Sequence, residues 1–316
     1  MSVLITGGFG LVGGRLAVHL AAAGYDVRLG TRQKRPVPPW LASAVVTQTS
    51  WDSTAALVQA CRGVDMVIHA AGMNAADCAR NPGEALEFNG GATARLAEAA
   101  AEAGVHRLLY MSTAHVYRSP LAGVVTEDMA PVNPHPYATS HLAGEDAVMA
   151  AAQRGVLDGV VMRLSNAFGA PTHRDVNCWM LLVNDLCRQA ARDRVLVLRT
   201  SGAQERDFIA IDDVSTAAQL LLELPAVRLG PGRFNVGSGR SIAVLAMAQR
   251  IANRCEAVLN HRPALEVGVD APAPPEDTLD YRVDRMLALG WTPKEGVDAE
   301  IDRTLRFCAA TWAGRG

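Results

Sequence analysis

Leu4-Ile5-Thr6-Gly7-Gly8-Phe9-Gly10-Leu11-Val12-Gly13 places Gly7, Gly10 and Gly13 three residues apart, between a β-type run (Val3 to Ile5) and an Ala/Leu-rich helical stretch (Leu11 to Ala23). Glycine is required at such a junction for three reasons. The turn is tight, the backbone must approach a pyrophosphate closely, and the helix must pack against the strand. The first turn of that helix then offers unpaired N–H groups to an anion. A glycine triplet alone also serves ordinary turns, so its position at the first strand-to-helix junction is what points to a dinucleotide. Gly7, Gly10, Leu11 and Gly13 are the expected contacts.

The end of the next strand reads Val27-Arg28-Leu29-Gly30-Thr31-Arg32-Gln33-Lys34-Arg35, with no acid in it. An acidic side chain there would accept from a free ribose 2'-hydroxyl, whereas a 2'-phosphate needs a cation. Thr31 and Arg32 therefore favour NADP, with NAD as the alternative; a merely solvated basic loop is the competing reading.

Outward from this turn, short apolar runs alternate with longer helical stretches. Strands are expected at Val3 to Ile5, Val27 to Gly30, Ala44 to Gln48, Asp65 to Ala70, Arg107 to Ser112 and Gly159 to Leu164. Helices are expected at Leu11 to Ala23, Thr54 to Cys61, Glu84 to Ala103 and Pro136 to Arg154. The alternation implies an α/β fold, a parallel sheet covered by helices. It loosens after Gly169, which divides the chain into 1–169, a dinucleotide-binding domain, and 170–316, mainly substrate-binding. The chain is expected to return to the first domain at about 205–240, with Phe208 to Glu223 read as helix and Phe234 to Gly239 as strand.

The chain has 316 residues, 49% of them hydrophobic and 20% charged, with a formal net charge of -2, enough for a sizeable core and too little positive charge to attract nucleic acid or an anionic membrane. No apolar stretch reaches the roughly 18 residues of a membrane span, and a strand so close to the first methionine leaves no room for a leader, so a cytoplasmic protein is expected. The six cysteines form no CxxC pair and read as reduced packing residues, without a metal site.

Further landmarks follow in order. They are Val67-Ile68-His69-Ala70-Ala71-Gly72, Asn89, Met111-Ser112-Thr113-Ala114-His115-Val116-Tyr117, Tyr137-Ala138-Thr139-Ser140-His141, Arg163-Leu164-Ser165-Asn166-Ala167-Phe168-Gly169, Arg206-Asp207-Phe208-Ile209, Phe234-Asn235-Val236-Gly237 and Leu289-Gly290-Trp291-Thr292-Pro293. With the glycine turn, this series resembles the extended short-chain dehydrogenase/reductase superfamily, in its nucleotide-sugar epimerase/dehydratase/reductase branch, over nearly the whole chain. The resemblance implies a Rossmann-type doubly wound parallel sheet with a smaller C-terminal substrate-binding region. It also implies an NAD(P)-dependent oxidoreductase or epimerase acting on a hydroxyl or keto carbon of a nucleotide-activated sugar. Thr113 and Tyr137 would share hydrogen bonds with the reacting oxygen, Tyr137 moving the proton. Ala70, Ala71, Asn89 and Met111 would join Tyr137 and His141 around the cofactor, and Asn166 and Arg206 would meet the substrate's diphosphate. A homodimer through the helices at 84–103 and 136–154 is expected by the same resemblance. On the residues alone, Tyr137 could simply pack at a helix start, and Arg206 and Asp207 could form a structural salt bridge.

Three departures matter. The family's Tyr-x-x-x-Lys reads Tyr137-x-x-x-His141, one helical face with a shorter side chain, partly charged at neutral pH by its ordinary pKa of about 6.5. A cofactor-binding homologue with weak or no catalysis is therefore the alternative function. Pro274, beside Pro275 and Asp277, stands where many nucleotide-sugar enzymes carry a second phosphate-binding Arg. Thr113-Ala114-His115 lacks both acids of the dehydratase Thr-Asp-Glu pattern, so a 4,6-dehydratase is not expected; His115 is a candidate to move protons on carbon or a packed bystander.

Overall fold

The structure, a computed structural model, describes residues 1–269, 278–294 and 296–312; Pro274, Pro275 and Asp277 lie outside the described residues. In chain order the strands are β1 (Ser2–Thr6), β2 (Asp26–Thr31), β3 (Val45–Gln48), β4 (Met66–His69), β5 (Arg107–Thr113), β6 (Gly123–Val125), β7 (Asp158–Leu164), β8 (Asn166–Phe168), β9 (Val195–Leu198), β10 (Glu205–Ala210), β11 (Arg233–Val236), β12 (Ser241–Ala243), β13 (Ala264–Val267) and β14 (Leu279–Tyr281). The helices are α1 (Leu11–Ala22), α2 (Thr54–Cys61), α3 (Ala75–Arg80), α4 (Pro82–Ala85), α5 (Ala92–Glu102), α6 (Pro136–Gln153), α7 (Leu182–Arg192), α8 (Ile211–Glu223), α9 (Val244–Leu259), α10 (Asp284–Ala288) and α11 (Val297–Trp312).

Seven strands form one sheet in the order β11-β7-β5-β4-β1-β2-β3, parallel throughout. In β1 the alternation of side chains sends Val3 and Ile5 into one core layer and Leu4 into the other. Helices α1 and α8 cover the first layer, while α2, α5 and α6 cover the second. A strand apolar on both faces is the signature of this doubly covered arrangement. The chain winds outward from β1 to β3 and then crosses to β4 on the other side of β1. The turns after β1 and β4 thus flank the crevice where such sheets bind ligands.

A second body forms around its own core of Val183, Leu186, Leu196, Met247, Ile251 and Leu305, from α7, β9, α9 and α11. Beside it lie the three-stranded sheet β12-β10-β8 and the pairs β13-β9 and β14-β6. Strand β11 lies on the edge of the large sheet, in register with β7 from Arg233 opposite Val161 to Val236 opposite Leu164. Arg15 of α1 clamps the two bodies: its Nη1 donates to the Ala170 carbonyl at 2.8 Å and to Glu300 at 2.7 Å.

Two expectations are corrected. Phe208 to Ala210 belong to β10, because Phe208, Ile209 and Ala210 pair with Asn166, Ala167 and Phe168 of β8 before α8 begins. The single helix at 84–103 is α4, a π-helical turn (Leu86–Gly91) and α5. The cause is close packing: a Cβ on Gly90 would stand 2.9 Å from the Ala143 Cβ of α6. Small residues here thus let the two helices approach each other closely. All six cysteines are buried and unpaired, and among the described residues no helix is long and apolar enough to cross a membrane.

Candidate active site

Gly7 has a φ of +68°, and a Cβ on it would lie 2.7 Å from the Ala70 carbonyl oxygen. One on Gly13 would lie 2.4 Å from the Gly7 carbonyl oxygen. Only glycine lets these backbones meet. Helix α1 begins at Gly10 without a side-chain cap, so its first N–H groups remain available to an anion. Beside them opens a cavity of about 550 Å³ lined by Gly7, Phe9, Gly10, Thr31, Arg32, Arg35, Thr49, Trp51, Ala70, Ala71 and Phe88. The Arg32 guanidinium sits 5.4 Å above the Phe88 ring and that of Arg35 4.9 Å above Phe9, and neither has a carboxylate partner among the described residues. Glycine cradle, uncapped helix and cationic rim together fit a dinucleotide.

Some expected cofactor residues stand elsewhere. Leu11 turns its side chain to the neighbouring cavity, leaving only its main-chain N–H for an anion. Met111 is buried in the core layer behind the cleft. Asn89, 1% exposed, braces the loop after β4 from behind: its Oδ1 accepts from Met73 N–H at 2.9 Å and its Nδ2 donates to Ser140 Oγ at 3.0 Å.

A second cavity of about 360 Å³ contains Thr113, His115, Tyr137, Asn166 and Arg206, and a third of about 260 Å³ shares His115, Asn166 and Arg206 with it. Tyr137 is set at the start of α6 by Pro136 and by the cap from His135, whose Nδ1 accepts the Tyr137 N–H at 3.1 Å. Burial pushes the Tyr137 phenol above its ordinary pKa, and the nearby Thr113 hydroxyl pulls it back. His141 packs edge-on to the Tyr137 ring, centroids 4.5 Å apart, with Nδ1 3.0 Å from the Tyr110 hydroxyl. Burial first, then the charge of His115, lowers the pKa of His141 to about 4. The partly charged His141 expected from its ordinary pKa is thus corrected to a neutral one at pH 7, because no carboxylate among the described residues offsets its loss of water.

His115 donates its N–H to Thr113 Oγ1 at 3.2 Å, and its pKa is lowered by burial, by Arg206 and by His135. The salt bridge between Arg206 and Asp207 is absent. Neighbours on a strand face opposite ways, and the Asp207 carboxylate instead accepts from Ser165 Oγ at 2.5 Å, Ser238 N–H and Oγ at 2.8 Å each, and Arg240 N–H at 3.1 Å. Arg206, its pKa lowered by burial, has no hydrogen bond or ion pair among the described residues. A partly buried guanidinium without a partner is incompletely compensated until an anion meets it.

Behind Thr113 runs a network that motif reading overlooked. Ser112 Oγ donates to Glu145 at 2.5 Å, Glu145 takes Arg163 Nε and Nη2 at 2.9 and 2.6 Å, and Arg163 Nη1 reaches the Tyr117 oxygen at 2.9 Å. Tyr117 donates to Asn235 Oδ1 at 2.7 Å, which also takes the Tyr281 hydroxyl at 3.1 Å. The signal was present, since Arg163 and Asn235 stand inside quoted motifs and Glu145 lies two turns beyond Tyr137 on α6.

The sequence profile of the NAD dependent epimerase/dehydratase family matches residues 3–237. The chain is 31% identical to a dTDP-6-deoxy-L-talose 4-dehydrogenase (NAD(P)(+)) of Kitasatospora kifunensis, over 92% of this chain and 91% of that one. It is 26% identical to a UDP-glucose 4-epimerase of Corynebacterium glutamicum, over 93% and 91%. Among solved structures, MoeE5 in complex with UDP-glucuronic acid and NAD superposes with a TM-score of 0.79 at 25% identity, over 98% of this chain and 100% of that one.

Proposed function

The chain belongs to the NAD-dependent epimerase/dehydratase family of extended short-chain dehydrogenases/reductases, and we propose that within it this protein is a reductase or epimerase of a hydroxyl or keto carbon on a nucleotide-activated sugar. The observation that carries this reading is that Thr113 and Tyr137 line one cavity, into which Arg206, whose guanidinium has no partner among the described residues, also opens. A nicotinamide dinucleotide held by Gly7, Gly10, Gly13, Ala70, Ala71 and the α1 N-terminus would supply or accept hydride at the sugar carbon. Tyr137 gives or takes the proton at the reacting oxygen, and Thr113 holds that oxygen in place. Arg206 grips phosphate oxygens of the sugar nucleotide, a task suited to its planar fork, and Asn166 lies beside it. His115, neutral at pH 7, is placed to move a proton on carbon if the reaction is an epimerisation.

Thr31, Arg32 and Arg35 at the cavity rim support NADP over NAD. The expected preference is about tenfold or more, from one charged hydrogen bond of about 1.5 to 3 kcal/mol. We also propose a homodimer, in which Leu86, 54% exposed on the π turn, would be covered; a sedimentation mass of one chain at micromolar concentration would oppose it. A second reading, cofactor binding with little catalysis, is favoured by one observation: neutral His141 supplies no cation to the raised phenol of Tyr137. The test is absorbance at the nicotinamide band, with NADPH or NADH and a panel of nucleotide-linked keto sugars. Turnover with at least one sugar, faster with NADPH, supports the first reading. Binding without turnover supports the second, and no binding of either cofactor sinks both.

A further inference from the structure

We infer that Tyr110 is a positioning residue for this site: its phenol donates to Nδ1 of His141, fixes the imidazole as the Nε2–H tautomer, and so presents that N–H to a ligand acceptor seated against Gly72. The inference deepens the proposed function and rests on the cavity beside Gly72 being the cofactor's. Tyr110 is 1% exposed on β5. Helix α6 is drawn onto it through Gly144, where a Cβ would stand 2.5 Å from the Tyr110 oxygen. The His141 Nδ1, at 3.0 Å, is the acceptor this phenol meets.

The direction of that bond follows from the chemistry around it. A phenol is a good donor and its oxygen a poor acceptor, whereas an unprotonated imidazole nitrogen is a good acceptor. The nearby Thr93 hydroxyl already has one donor and one acceptor of its own. Thr93 Oγ1 donates to the Asn89 carbonyl at 2.6 Å and therefore accepts from His69 Nε2 at 2.9 Å. His69 then accepts at Nδ1 from the Thr6 hydroxyl at 2.6 Å. With Tyr110 as donor, each of these protons has an acceptor.

The other edge of His141 faces the cleft. Its Nε2 has no hydrogen-bond partner among the described residues. A Cβ on Gly72 would come to 3.6 Å from its Cε1 and 3.9 Å from its Nε2, so the glycine leaves this edge open towards the cavity it lines. The site offers its ligand one directional N–H in place of a charge.

Two measurements on the full chain test this. Nitrogen-15 NMR of histidine-labelled protein at pH 7 should report His141 with a bare Nδ1 and a protonated Nε2. NADPH titrations of the parent, Tyr110→Phe, His141→Gln and the double variant should show Tyr110→Phe weakening binding about three- to tenfold. In the His141→Gln background, where the amide donor has no tautomer to choose, Tyr110→Phe should add nothing. A protonated Nδ1 in the parent would overturn the inference. So would an equal loss from Tyr110→Phe in both backgrounds, which would mark the phenol as mere packing. Failure of the parent to bind NADPH or NADH would instead overturn the cofactor reading on which the inference rests, whichever tautomer the spectrum reports.

Discussion

Tyr137 starts from an ordinary phenol pKa of about 10, and burial moves it further from use as a base at pH 7. The residue four positions on, where the family carries a lysine, is a neutral histidine with its pKa near 4. His141→Lys should therefore raise kcat at pH 7 by about tenfold per pKa unit by which the new cation lowers the phenol. It should also shift the pH–rate profile towards acid; a folded, cofactor-binding variant with an unchanged profile would separate His141 from proton transfer. Acid stability follows from the same residues. His69, with its pKa lowered to about 3, His141, lowered to about 4, and His115, also lowered, are all held neutral chiefly by burial. Because the unfolded chain binds protons below about pH 6.5 while the folded one does not, stability is full above that pH. It falls as pH drops towards 4, by up to about 1.4 kcal/mol per pH unit for each of His69 and His141, with His115 acting in the same direction. Urea denaturation at pH 7, 5.5 and 4.5 should show this decline; a midpoint independent of pH would refute it. That Tyr137 and Arg206 share one cavity, with His141 packed on Tyr137, follows the motif order. The neutrality of His141 was not legible there, because burial depends on what the fold lays against it.

At the scale of elements, the glycine turn and the helix it opens were readable because the sequence punctuates them. Leu11 follows the turn directly and Thr54–Cys61 is capped by Ser53, whose hydroxyl accepts from Ala56 N–H at 3.2 Å. What escaped reading depended on partners distant in sequence. Strand β10 starts a helical-looking stretch but is claimed by β8, and the π turn answers to Ala143 on another helix. Gly13→Ala should drive its new methyl into the Gly7 backbone, a fixed neighbour. It is expected to destabilise the protein by about 1–3 kcal/mol and to weaken NADPH binding more than Gly24→Ala, whose new methyl would meet no atom within 4 Å although its φ is +87°. Thermal melts and cofactor titrations of the two variants check this, and equal binding losses would deny the turn its role.

For the molecule as a whole, the two cavities lie side by side between two bodies. The large sheet brings the turns after β1 and β4 to the cavity proposed for the cofactor, and β8 and β10 of the second body carry Asn166 and Arg206 to the neighbouring one. The parallel sheet was legible from alternating apolar runs, and a second region from the loosening of that alternation after Gly169; the individual strands of that region were not, because they are short and follow no period of their own. The geometry implies that the cofactor and the proton-moving residue are separable functions. The decisive measurement is single-turnover oxidation of NADPH by a nucleotide-linked keto sugar, in parent and Tyr137→Phe, with cofactor affinity measured alongside. The role proposed for Tyr137 predicts a rate loss of about 10²- to 10⁴-fold in Tyr137→Phe with NADPH binding largely retained. A Tyr137→Phe protein as fast as its parent would contradict it.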